Sequence, residues 1–348
     1  MLTIQTDRRT LLGSALALGA AASTPVLAQN LPPRENDTAG LPLPDPTEVI
    51  DLWPGESVGM PTPPPVETVR ENSTDPSYTR RGVQGITRPR MAVFRPRESN
   101  GAALVIFPGG AYRTVSIDGE GYDVARPLAE QGYTVFVCFY RLPYDGWDNR
   151  ENVAHADAQR AVRLVRAHAA HYGIDPERVA IMGMSAGGHL VATLATGFAR
   201  KVYAPLDAAD ALSAAPFCTA CIYPVITMDE RWTHRGSRRN LLGENPEEEA
   251  VRRQSPNLNI PADAAPFFLM HAEDDAAVPV ENSLIMRDAL KQAGVPVATH
   301  LFAKGGHGFG LRGVAGMPAA IWLDLWQDWA KSLGLPSTQA VALSSSQE

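Results

Sequence analysis

Cysteine is scarce in this chain, with Cys138, Cys218 and Cys221 the only three in 348 residues. An odd, small count excludes a fold stapled together by disulfides. Cys138 sits in an apolar strand-like run, where a thiol acts as a small hydrophobe. Cys218 and Cys221 form C-x-x-C, but within the strand-like "APFCTACIYPV" rather than at a helix N-terminus, so two buried thiols are expected and not a redox pair. No further Cys/His pair has metal-ligand spacing, and no metal or other cofactor is expected. Excess positive charge is also missing. Lys and Arg number 31 against 38 Asp and Glu, a formal charge of −7 without a basic stripe, which argues against a nucleic-acid partner. Long apolar runs are absent after residue 28, none reaching the roughly 18 residues of a membrane helix.

The first 28 residues have the anatomy of an export signal: Arg8 and Arg9, an apolar run from Leu11 to Ala22, and a small-residue site at Val26-Leu27-Ala28. The paired arginines resemble a twin-arginine signal, so export, to the periplasm, is expected, with no membrane attachment once the signal is removed. Residues 29–80 are rich in proline and polar groups, a composition that cannot form regular helix and is expected to run extended over the surface. The tail, 336–348, is expected to fray.

Between them, 81–335 reads as one domain in which apolar runs alternate with amphipathic stretches. "AALVIF", "YTVFVCF", "VAIMGM" and "FFLMHA" are apolar throughout, as strands buried on both faces are. The stretch Ala154–Tyr172 carries apolar residues every three to four positions, the pattern of an amphipathic helix. Such alternation implies an α/β fold, a mostly parallel central sheet with helices on both faces. One interval, about 224–265, is too long for a tight connection and is expected to form a lid with one or two short helices.

In parallel sheets, chemistry gathers at the carboxyl ends of the strands. Gly183-Met184-Ser185-Ala186-Gly187 satisfies G-x-S-x-G between a strand and a helix. That turn is tight enough to demand small residues two positions either side of the serine, and it holds the hydroxyl clear of the sheet. A serine nucleophile needs a base, and "KGGHGFG" offers His307 in a glycine-rich loop after the last strand. The other histidines have plainer roles: His155, His168 and His171 on exposed or flanking faces of one helix, His189 in the helix after the serine, His271 and His300 in strands. His234 falls in the lid, within reach of a substrate. "HAEDDAAVPV" supplies Glu273, Asp274 and Asp275 as candidate partners for the imidazole. "FPGGAYRT" is a further loop, where Gly109 and Gly110, with the Ala186 amide, can form an oxyanion hole. Tyr112, Tyr144, Trp147, Trp232 and Phe309 lie near these loops and can stack on a sugar ring.

The loops together resemble the α/β-hydrolase superfamily. More narrowly, "FPGGAY", "YGIDPERVAIMGMSAGGHL", "IYPVI", "EDDAAVPVENS" and "GGHGFG" resemble bacterial serine esterases that include acetylxylan-type carbohydrate esterases, a likeness extending from about Met91 to Gly334. The resemblance implies Ser185 as nucleophile, His307 as base and Asp275 as acid, because the family's aspartate stands three residues before Val-Pro, here Val278-Pro279. It also implies that the Ala111 amide joins the oxyanion loop, alanine standing where the family often has glycine. The activity implied is hydrolysis of short acyl esters, chiefly acetyl, on small-molecule or oligosaccharide substrates such as xylo-oligosaccharides. Two rivals share the scaffold: a serine peptidase of prolyl-oligopeptidase type, which usually carries a propeller that 60 proline-rich residues cannot build, and an inactive binding protein, which needs no Ser/His/Asp set.

Overall fold

A computed structural model describes residues 45–336, apart from Thr47 and Glu56. The expected export signal, the proline-rich stretch up to residue 44 and the tail from 337 lie outside the described residues. The strands are β1 (Val49–Asp51), β2 (Thr68–Glu71), β3 (Arg81–Gln84), β4 (Arg90–Phe94), β5 (Ala103–Phe107), β6 (Val115–Ser116), β7 (Thr134–Phe139), β8 (Val179–Met184), β9 (Thr219–Ile222), β10 (Phe267–Ala272) and β11 (Val297–Phe302). The helices are α1 (Asp123–Glu130), α2 (Arg150–Ala167), α3 (Ala169–Tyr172), α4 (Ala186–Gly197), α5 (Arg235–Leu242), α6 (Glu248–Arg253), α7 (Glu281–Gln292) and α8 (Trp322–Ser332).

Eight strands form one sheet in the order β1-β4-β7-β5-β8-β9-β10-β11. The pairs β1–β4 and β4–β7 are antiparallel, and every later pair is parallel. Every residue of β5, β7, β8, β9 and β10 is buried, which explains why their sequences are apolar without alternation. α4 follows directly from the central β8 and is itself almost wholly buried. The carboxyl ends of β5, β8, β9, β10 and β11 therefore meet along one edge of the sheet, and the site lies there.

Two expectations change. The described part of the proline-rich stretch, 45–80, runs over the surface as expected, with only Leu52 and Ser57 buried, but it does not stand apart from the domain that follows. It is extended, as its prolines require, but β1 adds an edge strand to the main sheet, Leu52 is fully buried, and β2 pairs with β3, which in turn pairs with β6, in a second, three-stranded sheet. Polar anchors hold it: Trp53 Nε1–H donates to Asp157 (2.7 Å), and Arg141 donates to the Val58 carbonyl (3.1 Å). His155 also departs from its expected exposed or flanking face. It is buried in α2, and burial, reinforced by Arg200, His189 and Arg163, pushes its imidazole down to about 3. The interval 224–265 carries α5, α6 and a single 3-10 turn, Pro256–Leu258. All three cysteines are free and buried.

Candidate active site

Ser185 stands between β8 and α4 with φ 54° and ψ −118°, a left-handed conformation rare for a residue with a side chain. The surrounding contacts enforce it. A Cβ at Gly183 would lie 2.1 Å from the Gly187 carbonyl oxygen, and one at Gly187 would lie 1.9 Å from that of Phe107. The chain can turn this sharply only because both positions lack side chains. The Ser185 amide bonds the Ile222 carbonyl (3.0 Å), and its own carbonyl accepts from Val225 (3.1 Å), so the strained residue is clamped to the β9 side. Strain of this kind costs about 1–3 kcal/mol and persists only where neighbours over-determine it.

The Ser185 hydroxyl donates to His307 Nε2 at 2.8 Å, and His307 Nδ1–H donates to Asp275 Oδ2 at 2.6 Å. Burial raises the Asp275 carboxyl, but bonds from His271, His307 and the Val278 amide outweigh that and hold it well below the usual carboxylate range. Its Oδ1 accepts the amides of Ala277 (2.9 Å) and Val278 (2.8 Å). His271 Nε2–H reaches Oδ2 (3.2 Å) and the Val278 carbonyl (3.0 Å), while its Nδ1 accepts from the Ser283 hydroxyl (2.8 Å). Asp274 is spoken for elsewhere: its Oδ1 accepts the amides of Gly305 and Gly306, both at 2.9 Å, and so ties down the loop that carries His307.

The oxyanion loop follows β5. Gly110, Ala111 and Tyr112 all have positive φ, at 129°, 55° and 60°. Gly109 does not serve as expected. Its amide donates to the Glu120 carboxylate at 2.8 Å and is not available to a developing oxyanion. Gly110, Ala111 and Ser185 line the same cavity, and Ala186 opens α4, whose N-terminus favours negative charge. The loop's carbonyls are also held, Pro108 by the Tyr140 hydroxyl (2.7 Å) and Ala111 by the Asn240 amide of α5 (2.8 Å).

The site opens into a cavity of about 850 Å³. Of the aromatic and imidazole side chains expected to touch substrate, His234 and Phe309 line it. Tyr112 does not: it is fully buried, its hydroxyl bonded to His189 Nδ1 at 2.6 Å. Trp147 is likewise buried, with Arg141 stacked on its ring. Trp232 faces a different hollow, between the β9–α5 segment and α6. A side chain near a loop in sequence can point either way through that loop, and here the bulky apolar ones turn inward. The wall comes instead from Asn72, Tyr78, Thr79 and Arg80, which precede β3, and from Arg312. Glu120 also lines the cavity and was not legible as a site residue. Its one signal is an acidic residue between glycines in "SIDGEGYD", close behind the oxyanion loop.

A serine on a strained strand–helix elbow, joined to an imidazole and a carboxylate from later strand ends, defines an α/β hydrolase. Residues 91–290 match the BD-FAE family, and the chain belongs to it. It is 32% identical over 251 residues, 72% of its length, to endo-1,4-beta-xylanase B of Butyrivibrio fibrisolvens, of which it covers 39%. With an acetylxylan esterase of Xylanibacter ruminicola it shares 31% identity over 258 residues, 73% of this chain and 50% of that one. The chain thus spans half or less of these two relatives. An acetyl ester-xyloside bifunctional hydrolase from Caldicellulosiruptor lactoaceticus superposes with TM-score 0.67 at 31% identity, over 84% of this chain and 98% of that one. A thermophilic esterase from Thermogutta terrifontis shares the fold, with TM-score 0.61 at 23% identity over 79% of this chain and 95% of that one.

Proposed function

We propose that this protein is a serine carboxylesterase that removes short acyl groups, chiefly acetyl, from carbohydrates such as xylo-oligosaccharides. The observation that carries the reading is the unbroken relay from the Ser185 hydroxyl through His307 to an ionised Asp275. Ser185 attacks the ester carbonyl as His307 Nε2 takes its proton. The amides of Gly110, Ala111 and Ala186 receive the charge on the tetrahedral intermediate. Asp275 holds the imidazole in the tautomer whose Nε2 is free to accept that proton, and it stabilises the imidazolium that results. His307 returns the proton to the leaving alcohol, and a water deprotonated by the same nitrogen releases the acid from Ser185.

Support for a sugar alcohol comes from the relatives named for xylan and xyloside substrates and from the polar cavity wall of Asn72, Tyr78, Thr79 and Arg80. The reading includes export, on the strength of Arg8, Arg9 and the apolar run that follows. Ser185→Ala should lower kcat on p-nitrophenyl acetate and on acetylated xylo-oligosaccharides by about 10⁴-fold or more. Hydrolysis that persists in that variant, or that is missing from the parent, sinks the esterase. For export, the mass of protein recovered from the periplasm should correspond to a chain beginning at Gln29; an uncleaved chain in the cytoplasm would count against it.

A further inference from the structure

Glu120 is a buried carboxyl beside the relay, and the mechanism above does not use it. It sits in a π-helical turn, Asp118–Tyr122, that leads into α1, with the Tyr122 amide reaching back to the Ile117 carbonyl at 2.7 Å. Wide turns of this type are uncommon and recur at functional sites. The turn is pinned on its other side, where Asp118 accepts three bonds from the Arg81 amide and guanidinium at 2.6–3.0 Å. Glu120 Oε2 accepts the Gly109 amide. The carboxylate also accepts the hydroxyl of Tyr223, whose oxygen in turn accepts the Gly310 amide at 3.2 Å. The Tyr223 ring packs edge-on against His307, centroids 5.2 Å apart, and against Phe309 at 4.5 Å. A Cβ at Gly308, next to His307, would lie 3.9 Å from Glu120 Oε1.

One carboxylate thus joins the loop after β5, the residue after β9 and the loop after β11. Both of its partners donate to it, as suits an ionised carboxylate, which accepts through either oxygen. We propose that Glu120 is a positioning residue of the esterase site: it holds the Gly109 amide back so that the next two amides face the oxyanion, and it keeps a fixed negative charge beside His307. The inference rests on the serine-esterase reading.

Burial leaves the Glu120 carboxyl above its usual range, and the His307 charge, the Gly109 amide, the Tyr223 hydroxyl and Arg80 offset that rise only in part. Other ionisable groups face this corner from the elements around it. They are Tyr140 at the end of β7, Tyr223 after β9, Asp275 after β10, Arg80 before β3 and His234 in the insertion. Burial pushes both tyrosines above their usual range, and Asp275 is held well below its own. His234, which burial pushes down, is the other histidine among these groups.

The test is the pH profile of kcat and KM on p-nitrophenyl acetate for the parent and for Glu120→Gln, Glu120→Asp and Tyr223→Phe, with Ser185→Ala alongside. Glu120→Gln should lower kcat by about 10- to 100-fold with little change in KM. It should also move the acid limb of kcat/KM to lower pH by about half a unit or more, since a carboxylate favours the imidazolium. The limb should shift equally in a His234→Asn background. Glu120→Asp keeps the charge but shortens the reach, so kcat should fall while the limb stays. Tyr223→Phe should shift the limb in the same direction as Glu120→Gln, but less, and it carries the test if Glu120→Gln does not fold. An unmoved limb in folded Glu120→Gln, or a rise in KM with kcat intact, overturns the inference while leaving the esterase standing. An inactive parent, or an active Ser185→Ala, overturns the esterase itself.

Discussion

Two hydroxyl–imidazole–oxygen chains flank the elbow of Ser185, and their lengths are nearly the same. In one, Ser185, His307 and Asp275 are linked at 2.8 and 2.6 Å. In the other, Tyr112, His189 and the Gln254 carbonyl are linked at 2.6 and 2.8 Å. Only the first can do chemistry. Its last member is a carboxylate that favours an imidazolium, and its hydroxyl opens into the cavity. The second is sealed in the core, and burial, opposed by the Gln254 carbonyl, pushes His189 down to about 4, so the ring stays neutral and serves as a spacer between α4 and the oxyanion loop. Distances alone do not mark a triad; the charge at its end and access to the hydroxyl do.

The comparison can be broken at several points. The largest effect is expected at Asp275→Asn, which keeps the shape and removes the charge: kcat should fall by about 10³- to 10⁴-fold. Asp274→Asn should lower kcat only several-fold, because its remaining oxygen can still accept an amide of the glycine loop. Equal losses at the two positions in ester kinetics would contradict the assignment. The sealed chain should register in stability instead, as should His155, a second buried imidazole that lies outside that chain in α2. His155 and His189 have folded pKa values below 6.5, so the unfolded chain binds more protons as pH falls. Their contribution is complete above pH 6.5 and is lost as pH falls toward about 4 for His189 and about 3 for His155. Chemical denaturation between those values should show stability falling by roughly 1 kcal/mol per pH unit for each histidine. His155→Leu should flatten that slope by about half, and an unchanged slope would refute the account. The smallest effect is expected at Tyr112→Phe, which leaves His189 Nδ1 without its donor. Stability should drop by about 1–2 kcal/mol with kcat within about twofold of the parent, and a collapse of kcat would mean that the sealed chain takes part in the chemistry.

How much of this was readable beforehand follows from where the constraint lies. Ser185 and His307 were legible because strand-end loops with glycine spacing leave few residue types able to do acyl transfer, whereas Asp275 was separated from Glu273 and Asp274 only by the family's spacing to Val278-Pro279. The sheet was legible because strands buried on both faces are apolar without interruption. Gly109 misled because a G-G pair announces free amides but not which of them a neighbouring acid will claim. Glu120 stayed hidden since an acid at the start of an amphipathic stretch reads as ordinary helix-end chemistry. The proline-rich stretch misled through its composition, which forbids helix but says nothing against pairing at a sheet edge. Tyr112 and Trp147 misled through proximity in sequence, since only three-dimensional packing decides which way a loop side chain turns.

The bond from Asn240 to the Ala111 carbonyl ties the insertion after β9 to the loop that receives the oxyanion. Roof and reaction centre are therefore not separate modules. Exchanging the insertion of this chain, to trade one substrate range for another, would also reset the aim of the Ala111 peptide. A substitution at Asn240 should therefore change both kcat and the preference between acetyl and longer acyl esters, which steady-state kinetics on the two would read.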